Sequence, residues 1–94
     1  MPKIHVLVSA NLKDRLGHAR FSIEAGTALG VLRAMADNSE YGKIFREEVY
    51  APGKPVKAYC IFMLNGQVLD AKSLDKAVLR DGDMLHIMAP VGGG

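Results

Sequence analysis

The stretch that decides the fold is Leu79-Arg80-Asp81-Gly82-Asp83-Met84-Leu85-His86-Ile87-Met88-Ala89-Pro90-Val91-Gly92-Gly93-Gly94. Gly82 between two aspartates reads as a tight turn, because glycine tolerates positive φ and aspartate hydrogen-bonds nearby backbone. Met84 to Ala89 then reads as a strand, with Leu85 and Ile87 on one face and Met84, His86 and Met88 on the other. Pro90 has no amide proton to continue a ladder and ends it. Beyond Pro90 stand only Val91 and three glycines, so 90–94 is expected to be a flexible tail.

Upstream, Asn65-Gly66 is a hairpin signal, since both residues accept the positive φ of a two-residue turn. Lys57 to Leu64 before it is an apolar strand, and Gln67 to Asp70 is the short return. If Phe62 and Leu64 point inward, Ile61 and Met63 point outward. Ser73 to Leu79 has room for one helical turn. Ala51 to Pro55, with two prolines and a glycine, is loop. Ser39 to Tyr50 has a weak helical pattern in which Tyr41, Ile44, Phe45 and Val49 share a face. The main helix starts at Thr27, whose hydroxyl can cap the first turn. Ala28, Val31, Leu32, Met35 and Ala36 form its buried stripe, and Asp37-Asn38 ends it. Lys3 to Ser9 alternates Ile4, Val6 and Val8 against His5 and Leu7, which predicts a strand. Asn11 to His18 reads as a turn, and Ala19 to Glu24, with Phe21 and Ile23 on one side, completes a hairpin.

Strand, strand, helix, extra helix or loop, strand, short strand, strand is an α+β order: a mixed four- to five-stranded sheet packed on one main helix. A chain of 94 residues supports one domain, expected over 1–89. No apolar run approaches the length of about 20 residues that a membrane helix needs. The start of the chain lacks the apolar stretch of a signal peptide, so the cytoplasm is the expected location. The single cysteine, Cys60, excludes an internal disulfide and a CxxC site. A net charge of +2, with lysines and arginines scattered, argues against nucleic-acid binding.

The element order and the C-terminal stretch together resemble the β-grasp fold of the ubiquitin-like sulfur carriers, the MoaD/ThiS type. That family includes the small subunit of molybdopterin synthase and the sulfur carrier of the thiamine pathway. The outline extends over the whole chain, and the specific part is Leu64 to Gly94. Two departures stand out. Three glycines end the chain where the family has a small residue and two glycines, and residues 38–57 are longer than a thiamine-type carrier needs. In size the chain is nearest to the molybdopterin synthase small subunit.

The resemblance implies a function in which Gly94 carries the working group. An ATP-dependent activating enzyme, using ATP and Mg, would convert its carboxylate to an acyl-adenylate. A persulfide sulfurtransferase or sulfide would then displace AMP and leave a thiocarboxylate. The acceptor would be an enzyme such as the large subunit of molybdopterin synthase. Rival acceptors belong to thiamine, cysteine, tRNA-thiolation or specialised-metabolite synthesis. A protein modifier that forms isopeptide bonds through Gly94 is a rival of another class. No catalytic site, bound cofactor or metal of the chain's own is expected. Val91, Gly92 and Gly93 would thread the partner's active site. Pro90 to Gly94 can reach at most about 15–18 Å, and glycine lets the segment enter a narrow channel.

A carrier also needs a docking face, and alternation places His5, Leu7, Ile61, Met63, His86 and Met88 on the side of the sheet away from the helix. An exposed apolar patch of this kind marks an interface. The competing reading is that Ser39 to Val56 folds over this face and makes it core. Other polar groups are set aside. His5 and His86 lack a third ligand for a metal. Cys60 reads as a buried structural thiol. Asp81 and Asp83 are turn residues, and Glu47 and Glu48 face different directions on a helix.

Overall fold

The computed structural model describes residues 1–90. Five strands form one sheet: β1 (Lys3–Val8), β2 (Arg20–Glu24), β3 (Ile61–Leu64), β4 (Gln67–Val68) and β5 (Met84–Met88). Their spatial order is β2-β1-β5-β3-β4, with β5 parallel to β1 and every other pair antiparallel. The C-terminal strand is therefore central, between the N-terminal strand and the hairpin. This is the expected mixed sheet, with all five strands formed.

Helix α2 (Ala28–Ala36) covers one face. The Thr27 hydroxyl accepts from the Gly30 amide at 3.0 Å, as the capping rule requires. Ala28, Val31, Leu32, Met35 and Ala36 are fully buried, and they meet Ile4, Val6, Phe62, Leu85 and Ile87 from the strands. The alternation read in β1 and β5 thus places the right residues inward. Helix α3 (Gly42–Glu48) joins this layer, with Phe45 and Val49 fully buried and Tyr41 and Ile44 packed at the margin. It contacts α2 and the first helix. The segment Ser39 to Val56 consequently lies on the helix side, and the open sheet face stays uncovered among the described residues.

Four elements differ from the sequence reading, two of them substantially. Asn11 to His18 is not a turn: α1 runs over Ala10–Leu16, with Leu12 and Leu16 buried one turn apart. Gly17 closes it in the left-handed region at φ 91, and its amide donates to the Lys13 carbonyl, the usual helix stop. Asp14 and Gly17 are turn residues by type, and two apolar residues are too few to show periodicity. β1 and β2 are therefore joined through a helix. The strand expected over Lys57 to Leu64 exists only from Ile61. The Cys60 amide donates to the Lys57 carbonyl at 3.0 Å, which turns the chain just before β3. An apolar run alone does not distinguish a strand from a buried turn.

The remaining turns agree with the reading. Asn65 (φ 48) and Gly66 (φ 87) both take the positive φ of the β3–β4 hairpin. The return strand is shorter than expected, two residues, and a 3-10 helix over Ala71–Lys76 replaces the single turn placed at Ser73 to Leu79.

Candidate functional site

Because β5 is central, the strand that leads to the C-terminus is held on both sides. Its open face is organised in cross-strand rows. Leu7 of β1 pairs with Arg20 of β2 and with His86 of β5, His86 pairs with Met63 of β3, and Met63 pairs with Val68 of β4. One row, Arg20–Leu7–His86–Met63–Val68, therefore crosses the whole sheet. Directly opposed residues lie on the same face, so the register alone fixes this row. A second row joins Ser22, His5 and Met84, and a third joins Met88 to Ile61.

Exposure follows this geometry. Val68 is 70% exposed, Ile61 45% and Met84 41%, while Leu7, Met63, His86 and Met88 are half-buried. All six residues expected on the open face, His5, Leu7, Ile61, Met63, His86 and Met88, are on it. Met84 and Val68 extend the patch. Val68 escaped the sequence reading because a two-residue strand shows no alternation, and only its pairing with Met63 places it. His5, Leu7, Arg20 and Met84 also line a shallow depression near the β1–β2 end.

The groups set aside have structural partners. His5 stands opposite Met84 and His86 opposite Leu7, so the two imidazoles are offset along the strands. Among the described residues, no group of three or more His, Cys, Asp or Glu side chains could hold a metal. Cys60 is buried, and its thiol donates to the Glu48 carbonyl at 3.6 Å. Burial, reinforced by the Glu48 carboxylate, pushes that thiol up to about 11. A thiol held protonated is a poor nucleophile.

Asp81 accepts from the Lys3 amide at 2.9 Å, and Asp83 accepts from the Asn65 side-chain amide at 3.0 Å and the Arg80 amide at 2.7 Å. The donated bond from Asn65, then that from Arg80, hold the Asp83 carboxyl below its ordinary value. These carboxylates tie the start of β5 to its neighbours and are not poised as an acid–base pair. Glu47 and Glu48, expected to diverge, both lie within reach of Arg15 of α1. The long guanidinium bridges neighbouring positions.

The tail residues Val91, Gly92, Gly93 and Gly94, on which the carrier chemistry would turn, lie outside the described residues. Its root is described. Ala89 is buried, Pro90 is exposed, and Ser9 at the end of β1 hydrogen-bonds the Ala89 backbone.

A central C-terminal strand, a helix on one face and an open apolar sheet on the other give a fold that can be compared with known proteins. The model of the ThiS family matches residues 6–94. The chain belongs to the ThiS family. Solved structures agree on the fold. The small archaeal modifier protein 1 of Methanosarcina acetivorans superposes with a TM-score of 0.75 at 21% identity, covering 100% of this chain and 98% of that one. The complex of subunits 1 and 2 of the molybdopterin-converting factor from Helicobacter pylori gives 0.61 at 20% identity, covering 98% and 99%. The BexX/CysO complex of Amycolatopsis orientalis gives 0.72 at 16% identity, covering 97% and 99%. No curated protein matches the sequence. These similarities identify a ubiquitin-like β-grasp domain of the MoaD/ThiS kind. No helix of the described residues is long and apolar enough to cross a membrane.

Proposed function

We propose that this ThiS-family chain is a sulfur carrier whose working group is the C-terminal carboxylate of Gly94. The observation that carries this reading is the reach of the family match, which extends to Gly94 itself. The carboxylate is inert towards sulfur nucleophiles until its oxygen attacks the α-phosphorus of ATP and releases pyrophosphate. Sulfide attacking the acyl carbon of that adenylate expels AMP and leaves the thiocarboxylate. ATP and Mg are consumed in the activating enzyme. The chain itself supplies a reachable carboxylate and a surface by which the enzyme holds it.

The acceptor we favour is the large subunit of a molybdopterin synthase. The extended segment 38–57 and the similarity to a molybdopterin-converting factor solved as a complex of its two subunits support this choice. The row Arg20–Leu7–His86–Met63–Val68 crosses the open sheet face, and it is the face we assign to docking.

 The half-buried residues Leu7, Met63 and Met88 would give the partner an apolar seat around the central His86, with His5 and Arg20 as polar groups towards the β2 side.

The test supplies the thiocarboxylated chain to a molybdopterin synthase large subunit with its pterin precursor and follows sulfur incorporation. Transfer to the pterin supports the assignment. A stable thiocarboxylate that the large subunit neither binds nor consumes would move the chain to another acceptor. The similarity to archaeal modifier proteins favours one second reading, in which Gly94 is joined to lysines of other proteins. A ladder of conjugates formed with ATP and an activating enzyme, in place of a thiocarboxylate, would establish it.

A further inference from the structure

Ser9 occupies the N-cap position of α1, where a serine ordinarily accepts from the first-turn amides, yet its side chain makes no capping bond. The hydroxyl is turned instead to a residue at the other end of the chain. The Ala89 amide donates to the Ser9 Oγ at 3.2 Å, and the Ser9 Oγ donates to the Ala89 carbonyl at 3.2 Å. The backbone prepares this contact, because the Ser9 amide donates to the Ile87 carbonyl at 3.1 Å and extends the β1–β5 pairing one residue past β1.

Ala89 is 1% exposed, follows the last residue of β5 and precedes Pro90. A buried amide and carbonyl at that point need partners, and one hydroxyl supplies both. Helix α1 forgoes a cap that is commonly worth about 1 kcal/mol. What it gains is a fixed root for the last residues of the chain.

We infer that Ser9 is a positioning residue for the C-terminal tail: its hydroxyl clasps Ala89 and sets the direction in which the chain leaves the sheet at Pro90. This role rests on the carrier reading. A tail whose root is already ordered loses less conformational freedom on entering the activating enzyme than one whose last strand residues fray. The effect falls on binding of the tail, because Ser9 touches no reacting atom.

The experiment compares wild type with Ser9→Ala and Ser9→Thr, the latter keeping the hydroxyl. Amide hydrogen exchange of the intact chain reads the clasp without any enzyme. Protection of the Ala89 amide should fall roughly tenfold in Ser9→Ala and recover in Ser9→Thr, with the β1–β2 amides unchanged. Steady-state adenylation by an activating enzyme reads the role. KM for the carrier should rise about 3- to 10-fold in Ser9→Ala with kcat unchanged, and Ser9→Thr should restore it. A general loss of folding would instead lower the protection of β1–β2 amides together with Ala89, and that result would overturn the assignment. Unchanged Ala89 protection in Ser9→Ala would show that there is no clasp. Lost protection with an unchanged KM would show that the clasp does not position the tail. If no activating enzyme modifies the wild-type chain, the carrier reading falls and this role with it, whereas a failure confined to Ser9→Ala leaves the carrier reading intact.

Discussion

Ile61→Glu separates docking from folding on the open face. Ile61 is 45% exposed in the isolated chain and pairs with Met88 of the central strand. Its replacement costs the fold little: strand preferences span about 1 kcal/mol. At about 0.05–0.15 kcal/mol per residue, a domain of this size has roughly 5–14 kcal/mol in reserve. Docking is affected more. Full burial of an isoleucine is worth about 1.5–3 kcal/mol, and close to half of that area is still available to a partner, so about 1 kcal/mol is lost. A carboxylate buried there without a partner adds about 1–3 kcal/mol. The sum, about 2–4 kcal/mol, corresponds to an affinity loss of roughly 30-fold or more. Calorimetric titration of the activating enzyme with wild type and Ile61→Glu measures it, with Lys43→Glu on α3 as the control on the helix side. Equal affinities for wild type and Ile61→Glu, both folded, would refute the assignment of the open face to docking.

Three further outcomes are expected. Gly42→Ala should destabilise by about 1–3 kcal/mol in urea unfolding, although helix propensity alone favours alanine, because its Cβ would lie 2.5 Å from the Ala36 carbonyl oxygen. Asp83 is held below its ordinary value by the Asn65 and Arg80 donors, so its stabilising contribution is present above the unfolded value, near pH 4, and is lost as the pH falls through the folded value. Urea midpoints measured over acid pH should therefore fall more steeply for wild type than for Asp83→Asn. Cys60, pushed up to about 11 and buried, should resist iodoacetamide in the folded chain at neutral pH and react when urea unfolds it, as followed by mass spectrometry.

Strands β1, β2 and β5 were legible because each carries its own two-residue period. Ile4, Val6 and Val8, or Leu85 and Ile87, declare an inner face without reference to any other element. The main helix was legible for the same local reason, a capping threonine followed by a stripe of five buried residues. Helix α1 was not, since Leu12 and Leu16 are its only apolar signal among polar neighbours. Lys57 to Cys60 shares the apolar run of β3 but forms a turn, with Lys57 and Ala58 exposed and Tyr59 and Cys60 bonded to the Glu48 carbonyl at the end of α3. The membership of Val68 in the open face depends on pairing, which no local pattern encodes. The clasp between Ser9 and Ala89 lies furthest from local inspection: its partners are 80 residues apart, and by its sequence Ser9 is only the last residue of a strand.

The Gly94 carboxylate as working group is tested most directly by the intact mass of the chain after incubation with an activating enzyme, ATP, Mg and sulfide, for wild type and for a variant lacking Gly92 to Gly94. In the wild type one oxygen should be replaced by sulfur, at the C-terminus, and the shortened chain should fold normally and stay unmodified. A wild-type mass unchanged with every activating enzyme tried, or the same replacement in the chain without its three glycines, would contradict the assignment.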